Sequence, residues 1–247
     1  MSAPATPTRR VLAQARFDTG TLLRNGEQLI VSMVLPALAL VAGVFAPFPE
    51  LAGRRVDVVT PGVLALAVLS TAFTGQAIST GFDRRYGVLR LLGVTPLGRS
   101  GLLSGRVLAV LVVEAIQLVV LMALGLALGW HPSAIGVLPF VLFWLLGTAC
   151  FVALAMLFAG TMRAEATLAL ANLVWVLLLG LGGVVLPATS FPGPWSTVIS
   201  FLPTAALGDG FRAAFEHGGV DLRALLVLAG WTLVLGALAR RLFRWSD

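Results

Sequence analysis

The chain has 247 residues, of which 58% are hydrophobic and 11% are charged. Soluble domains carry about 25% charged residues, so an ordinary soluble fold is excluded. The net charge of +6 is the difference between 17 basic residues, all of them arginine, and 11 acidic residues. The absence of lysine excludes the Gly-Lys pair of a nucleotide-binding P-loop.

The arginines mostly flank apolar runs, a pattern typical of membrane proteins and not of nucleic-acid binding. The single cysteine excludes an intrachain disulfide and any multi-cysteine metal site. The two histidines, His131 and His217, lie far apart and lack metal-ligand spacing. We therefore expect neither a metal nor a cofactor in this chain.

Residues 1–27 are predicted to form a cytoplasmic amphipathic helix in the plane of the membrane interface. Between residues 9 and 29, Val11, Ala15, Leu22 and Leu29 project to one side at helical spacing, opposite arginines and Glu27. Two interpretations fit this pattern. The helix is either a juxtamembrane anchor or a partner-binding element.

Residues 28–247 are predicted to form an all-α membrane domain with six transmembrane helices. Lipid permits only helices or closed barrels, and apolar runs of about 20 residues lack the alternation of barrel strands. The predicted spans are 28–46, 59–81, 104–128, 136–160, 166–187 and 222–241. With both termini cytoplasmic, 13 arginines fall inside and 4 outside, as the positive-inside rule requires.

A basic segment from Phe82 to Arg106 separates the second and third predicted spans and carries five arginines. Its apolar spacing predicts a short interfacial helix around Val88–Leu92. Thr95-Pro96 ends that helix, because the residue before proline is disfavoured in helical conformation. A second helix is predicted to begin near Ser100. The segment is therefore expected to lie on the cytoplasmic face as helix, turn, helix.

Residues 191–215 are predicted to be an irregular, proline-rich insertion before the last span. Within the wider outer-face segment 187–215, the short apolar stretch Trp195–Leu202 favours a re-entrant or interfacial helix. The alternative is a loop resting on headgroups with Trp195 as an interfacial anchor. The charged residues that follow are interpreted as solvated: Asp209, Arg212, Glu216, His217 and Asp221.

Polar residues within the spans are candidates for the substrate pathway or a subunit interface. Glu114 lies about ten residues into the third predicted span, with Gln117 one turn on. A carboxylate at this depth usually faces the bundle interior or a wet cavity, and the alternative is a structural carboxylate bonded to a neighbouring side chain. Weaker candidates are Phe73, Gln76, Asn172 and Trp175. Glu165 is interpreted as a cytoplasmic turn residue.

Two motifs resemble those of the ABC-2 type permeases, the membrane subunits of bacterial ATP-driven exporters such as daunorubicin-resistance permeases. Between the second and third spans the counterparts are Asp83, Arg84 or Arg85, Gly87, Leu89, Leu92, Thr95, Pro96, Arg99, Gly105 and Arg106. Before the last span, the stretch Phe191–Pro203 and then Asp209-Gly210-Phe211-Arg212 match a second pattern. There are two departures. The family commonly follows the glycine with threonine and then an acidic residue, whereas Val88 and Arg90 stand nearby here, and Arg106 replaces the common lysine.

The resemblance implies a permease subunit, not itself an enzyme, in the bacterial plasma membrane. It would pair with a second permease, identical or homologous, and with two cytoplasmic ABC ATPase subunits that bind ATP and Mg. The 82–103 loop would hold the coupling helix, with the ATPase docking on residues 82–99. The implied coupling residues are Asp83, Arg84, Arg85, Tyr86, Gly87, Leu89, Leu92, Thr95, Pro96 and Arg99.

The expected cargo is hydrophobic or amphipathic, either a drug-like molecule or a lipid. One alternative is a secondary transporter or channel, a class that commonly shows matching broken helices in two halves, whereas one proline-rich interruption is present here. The other is an intramembrane enzyme, which requires a clustered catalytic set that the spans do not show.

Overall fold

The computed structural model describes residues 6–24, 26, 30–47, 51, 53–93 and 95–244. Within these residues the secondary structure is helical, which confirms the all-α prediction. The α-helices are α1 (Pro7–Arg24), α2 (Leu35–Phe45), α3 (Arg55–Arg85), α4 (Val88–Gly93), α5 (Gly98–Ala127), α6 (Val137–Thr161), α7 (Ala164–Leu181), α8 (Trp195–Ser200), α9 (Pro203–His217) and α10 (Leu222–Leu242). A π-helical turn, Ile30–Val34, precedes α2, and a second one, Ser70–Gly75, lies within α3.

Five helices are long and apolar enough to cross a membrane: α3, α5, α6, α7 and α10. The apolar helix Ser32–Phe45 is shorter. It occupies most of the first predicted span, of which residues 28 and 29 lie outside the described part of the chain. A multi-span helical membrane protein is therefore confirmed.

The central helix of the bundle is α3, whose most apolar stretch is 78% buried, against 17% for α7 and 22% for α10. Its apolar residues surround the whole helix axis, which is typical of a helix buried on all sides. Gly62 allows the chain after α7 to pass close by, since a Cβ there would lie 2.5 Å from the Val185 carbonyl oxygen. The interior of the protein is thus organised around α3.

The helices connect at two ends of the bundle. At the arginine-rich end, Arg10 Nη1 donates to the Pro96 carbonyl at 2.6 Å, and the Arg244 backbone N–H donates to the Gly160 carbonyl at 3.1 Å. At the opposite end, the Ser133 N–H donates to the Phe215 carbonyl at 2.8 Å. The first end therefore gathers α1, the 82–106 segment, the turn between α6 and α7, and the end of α10.

Residues 191–215 are less irregular than predicted, because the short helix expected within Trp195–Leu202 is present as α8 and α9 continues the helical structure to His217. Pro194 immediately precedes α8 and Pro203 occupies the first turn of α9, positions where a missing N–H is tolerated. Gly218 ends α9 with φ of 67°, a left-handed conformation that glycine adopts without strain. The predicted span 166–187 is also too long, since α7 ends at Leu181.

The interpretation of Arg212 and Asp209 as solvated charges is wrong as well. Arg212 is only 8% exposed and pairs with Asp209, N–O 2.7 Å. The same guanidinium donates to the carbonyl oxygens of Val184 and Val185 at 2.8 and 3.0 Å, and to that of Val58 at 3.4 Å. One side chain thereby ties α9 to α3 and to the chain after α7.

Candidate coupling surface and interior polar network

The 82–106 segment folds as helix, turn, helix at the arginine-rich end. Gly87 and Gly98 have φ of 72° and 68° and make the chain reversals before α4 and before α5. Glycine adopts these angles without steric cost. Between them Thr95 Oγ1 donates to the Leu92 carbonyl at 2.6 Å, just past the end of α4. The two glycines and the Thr95 hydrogen bond therefore limit α4 to a short helix between α3 and α5.

An ion pair between Asp83 and Arg106 closes the segment at its base. Arg106 Nη1 also donates to Thr80 Oγ1 at 2.9 Å, and the Arg106 side chain is 11% exposed. Charge-assisted hydrogen bonds in a partly buried site are stronger than exposed ones. Burial raises the pKa of Asp18 on α1, although a hydrogen bond from Gln14 and the positive charge of Arg106 act to lower it. The ion pair between Asp83 and Arg106 thus joins α3 to α5.

The apolar side of α1 contacts the first turns of α5. Gly105 permits this approach, because a Cβ there would lie 2.8 Å from Cγ of Gln14. Ala15 is the buried residue of α1, while Leu12 and Phe17 stay exposed. The N-terminal helix therefore supports the same segment that the sequence singles out. Residues 1–5, 25 and 27–29 of the predicted amphipathic segment lie outside the described chain.

The predicted coupling residues divide into an inner and an outer set. Arg84 is 6% exposed and donates from Nη2 to the Met162 carbonyl at 2.6 Å, and Leu89 is 2% exposed. By contrast, Tyr86 is 70% exposed and Leu91, which sequence reasoning missed, is 73% exposed. Also exposed are Arg85, Gly87, Val88, Arg90, Thr95 and Pro96, while Leu92 is half-buried. The side chain of Arg99 lies outside the described part of the chain.

Glu165 is the other residue that sequence reasoning did not connect to this surface. It forms an ion pair with Arg85, whose guanidinium carbon also lies 5.8 Å from the centre of the Tyr86 ring. Both partners of the ion pair are largely exposed. The one signal in the sequence is an acidic residue in the first turn of α7, which does not reveal a partner 80 residues away. The 82–106 segment is thereby joined to the turn before α7.

Inside the bundle, Gln117 links three helices. Its Nε2 donates to the Ser32 carbonyl at 2.7 Å, and its Oε1 accepts from Thr71 Oγ1 at 2.7 Å. Ser32 and Thr71 belong to the two π-helical turns. Such turns interrupt regular helical hydrogen bonding and often mark functional positions. Gln117 thus holds both irregular turns against α5.

Glu114 lies between α5 and α6 and is fully buried. Its Oε2 accepts from Trp144 Nε1 at 2.8 Å and from Thr148 Oγ1 at 2.7 Å. Within the described chain, Oε1 has no hydrogen-bond partner. Of the alternatives drawn from the sequence, this geometry matches a carboxyl group bonded to neighbouring polar side chains.

The remaining interior candidates do not converge on one site. Phe73 and Gln76 are buried in α3. Trp175 on α7 reaches α3, where its Nε1 donates to Ser70 Oγ at 2.9 Å. Asn172 is exposed, and its side chain bonds to a carbonyl of its own helix. A shared pathway through all of the predicted residues therefore has no support in these contacts.

Replacing Glu114 distinguishes a hydrogen-bonding role from a role of its charge. Glu114→Gln keeps an acceptor for Trp144 and Thr148, so we expect thermal stability in detergent close to wild type. Glu114→Leu removes both bonds and leaves a buried indole N–H unsatisfied, at a cost of about 1–3 kcal/mol. Fluorescence-detected gel filtration after heating measures both variants. Equal losses of stability in the two variants would show that the charge itself matters.

The helices and their connections define a multi-pass, all-helical membrane protein with a clamped helix-turn-helix at its arginine-rich end. Residues 54–241 match the family described as ABC-2 family transporter protein, and this range includes both motifs. The chain belongs to the ABC-2 family. None of the curated proteins compared with the chain matches it. Because the ABC-2 membrane domain has no ATP-binding site, the chain is a transmembrane subunit of an ABC transporter and not its ATPase.

Proposed function

We propose that this subunit belongs to an exporter and that a separate ABC ATPase docks on its 82–99 segment. One observation carries the proposal, namely a short helix, α4, that is fixed to the bundle on one side and exposed on the other. ABC-2 permeases generally pair with ABC ATPase subunits. The arginine-rich end is the cytoplasmic side under the positive-inside rule, so α4 faces the compartment that holds ATP.

Within this segment the outer residues make the contact and the inner residues transmit movement. Tyr86 and Leu91 supply exposed apolar area, and aromatic residues are frequent anchors in protein interfaces. Asp83, Arg84 and Leu89 hold the segment to α3, α5 and the turn before α7. A displacement of α4 by the ATPase therefore moves these spanning helices as well.

The proposed assembly contains two permease subunits, identical or homologous, and two ATPase subunits. ATP and Mg bind to the ATPase subunits. The complex resides in the bacterial plasma membrane with α4 in the cytoplasm and takes no nucleic acid.

The proposed cargo is hydrophobic or amphipathic, either a drug-like molecule or a lipid. Support comes from the interior, where Gln117 and Thr71 bond to protein groups and Glu114 accepts two hydrogen bonds through Oε2. The interior side chains that a transported molecule would contact are mainly apolar. Export, and not import, is the direction the resemblance to the exporter permeases implies.

Affinity purification of the tagged chain from the membranes of its own cell tests the assembly. We expect a P-loop ATPase to co-purify in equal amount, and the complex in lipid nanodiscs to hydrolyse ATP. Mass spectrometry identifies the partner, and phosphate release measures the activity. Recovery of the folded chain without any P-loop protein would contradict the proposal.

A further inference from the structure

A basic recess of about 530 Å³ opens at the arginine-rich end, beside the Arg85–Glu165 ion pair. Four guanidinium groups and one carboxylate line it: Arg84, Arg85, Arg163, Arg244 and Glu165. Arg84 is engaged by the Met162 carbonyl and Arg85 by Glu165. The recess therefore retains a surplus of positive charge, and its volume lies in the range of small-molecule sites.

Two of the four arginines are available to an added anion. Arg163 and Arg244 are exposed, and within the described chain their guanidinium groups form no hydrogen bond or ion pair. They approach the recess from different elements, Arg163 from the turn before α7 and Arg244 from beyond the end of α10. Two planar guanidinium groups converging on one recess suit the oxygens of a phosphate group.

The position of the recess indicates which class of phosphate compound it binds. Four helices that are apolar enough to cross a membrane begin or end at its rim: α3 at Arg85, α6 at Thr161, α7 at Ala164 and α10 at Leu242. The rim therefore lies at the boundary between hydrocarbon and water, where lipid headgroups are located. Basic pockets between spanning helices on the cytoplasmic side bind anionic headgroups.

We propose that this recess binds the phosphate headgroup of an anionic phospholipid, held by Arg163 and Arg244. The surplus of positive charge favours a lipid with net negative charge over a zwitterionic one. Since Arg85 and Glu165 also belong to the base of the coupling segment, the bound lipid would lie beside the elements that move with the ATPase. This inference depends on the membrane fold and does not require the proposed exporter function.

Native mass spectrometry of the full chain in mild detergent tests the site, with phosphatidylglycerol, cardiolipin and phosphatidylcholine added in turn. We expect anionic lipids to remain bound preferentially, and the variant Arg163→Ala/Arg244→Ala to weaken them by about tenfold or more. The matched control is Arg240→Ala/Arg241→Ala, which removes two exposed arginines of α10 outside the recess. This control should bind anionic lipid as the wild type does.

Four results would overturn the proposal. Equal retention of phosphatidylcholine would show that headgroup charge is not recognised, and equal weakening by both double variants would show diffuse attraction and no site. Competition by inorganic phosphate that matches the lipid in affinity would assign the recess to a free anion. A variant at Arg163 and Arg244 that keeps lipid but loses the co-purified ATPase would assign it to the protein partner, and this outcome is distinct from failure of the exporter assembly.

Discussion

Replacement of Arg212 by methionine is expected to destabilise the protein by about 3–5 kcal/mol, the loss typical of breaking a buried ion pair from one side. Arg212 is 8% exposed and bonds to Asp209 and to carbonyl oxygens of three other residues. Methionine fills similar volume but donates no hydrogen bond. Asp209 would lose its closer partner, and α9 would lose its polar attachment to α3 and to the chain after α7.

The matched control for Arg212 is Arg223→Met. Arg223 bonds to the other oxygen of Asp209 at 3.1 Å, but its side chain is 49% exposed. Exposed ion pairs contribute roughly 0–1 kcal/mol, so this variant should remain near wild type. Arg212→Lys should recover only part of the loss, because one ammonium cannot reproduce a planar fork. Heat-induced loss of the monodisperse gel-filtration peak measures all three, and similar midpoints for Arg212→Met and Arg223→Met would contradict this account.

Replacement of Leu91 by aspartate is expected to weaken association with the ATPase by about 30-fold, as for loss of a hot-spot side chain worth about 2 kcal/mol. Leu91 is 73% exposed on α4, so the change should leave the fold intact. The charge would place an unpaired carboxylate in the centre of the proposed interface. Quantitative co-purification with the ATPase at several detergent and salt concentrations measures the loss.

Two comparisons make the Leu91 experiment specific. Val220→Asp adds the same charge to an exposed residue at the opposite end of the bundle and should keep the ATPase. Leu89→Asp buries a charge two residues away in the same helix, so that variant should lose thermal stability. If the folded Leu91→Asp protein co-purifies with as much ATPase as the wild type does, α4 is not part of the interface.

The spans follow from sequence alone because a bilayer imposes a length and an apolar composition on every crossing helix. Five of the predicted spans overlap long helices, with shifts of a few residues at most ends. The exception at Leu181 arises from the glycines that follow it, including Gly183 with φ of 66°, which turns the chain away from the helical path. Apolar composition continues past this point, so hydropathy gives no sign of the helix end.

Partners of charged residues could not be predicted, because they depend on which helix ends meet. Asp83 and Arg106 stand 23 positions apart in the motif, and their pairing requires α3 and α5 to be neighbours. Arg84 and Arg85 are adjacent in sequence, yet one is buried against a carbonyl and the other is exposed beside Glu165. Helical geometry separates their directions, and only packing decides which direction faces the protein.

The burial of charged residues in the outer-face segment 187–215 also could not be predicted from the sequence. The clustering of polar residues there predicts solvated charges, but the Asp209-Gly210-Phe211-Arg212 motif is almost wholly buried. Gly210 packs against the ring of Phe143, since a Cβ would lie 2.4 Å from it. The pattern of this motif therefore reflects the close packing of α9 within the bundle.

Cysteine cross-linking to the ATPase tests most directly whether α4 is the docking element. The chain's only cysteine, Cys150, is fully buried, so an added exposed thiol is the reactive one. Tyr86→Cys and Leu91→Cys, treated with a short thiol-to-amine cross-linker in the assembled complex, are expected to join the permease to the ATPase. Val220→Cys should give no such product. Absence of the product at both positions of the 82–99 segment, or an equal yield at Val220→Cys, would contradict ATPase docking on this segment.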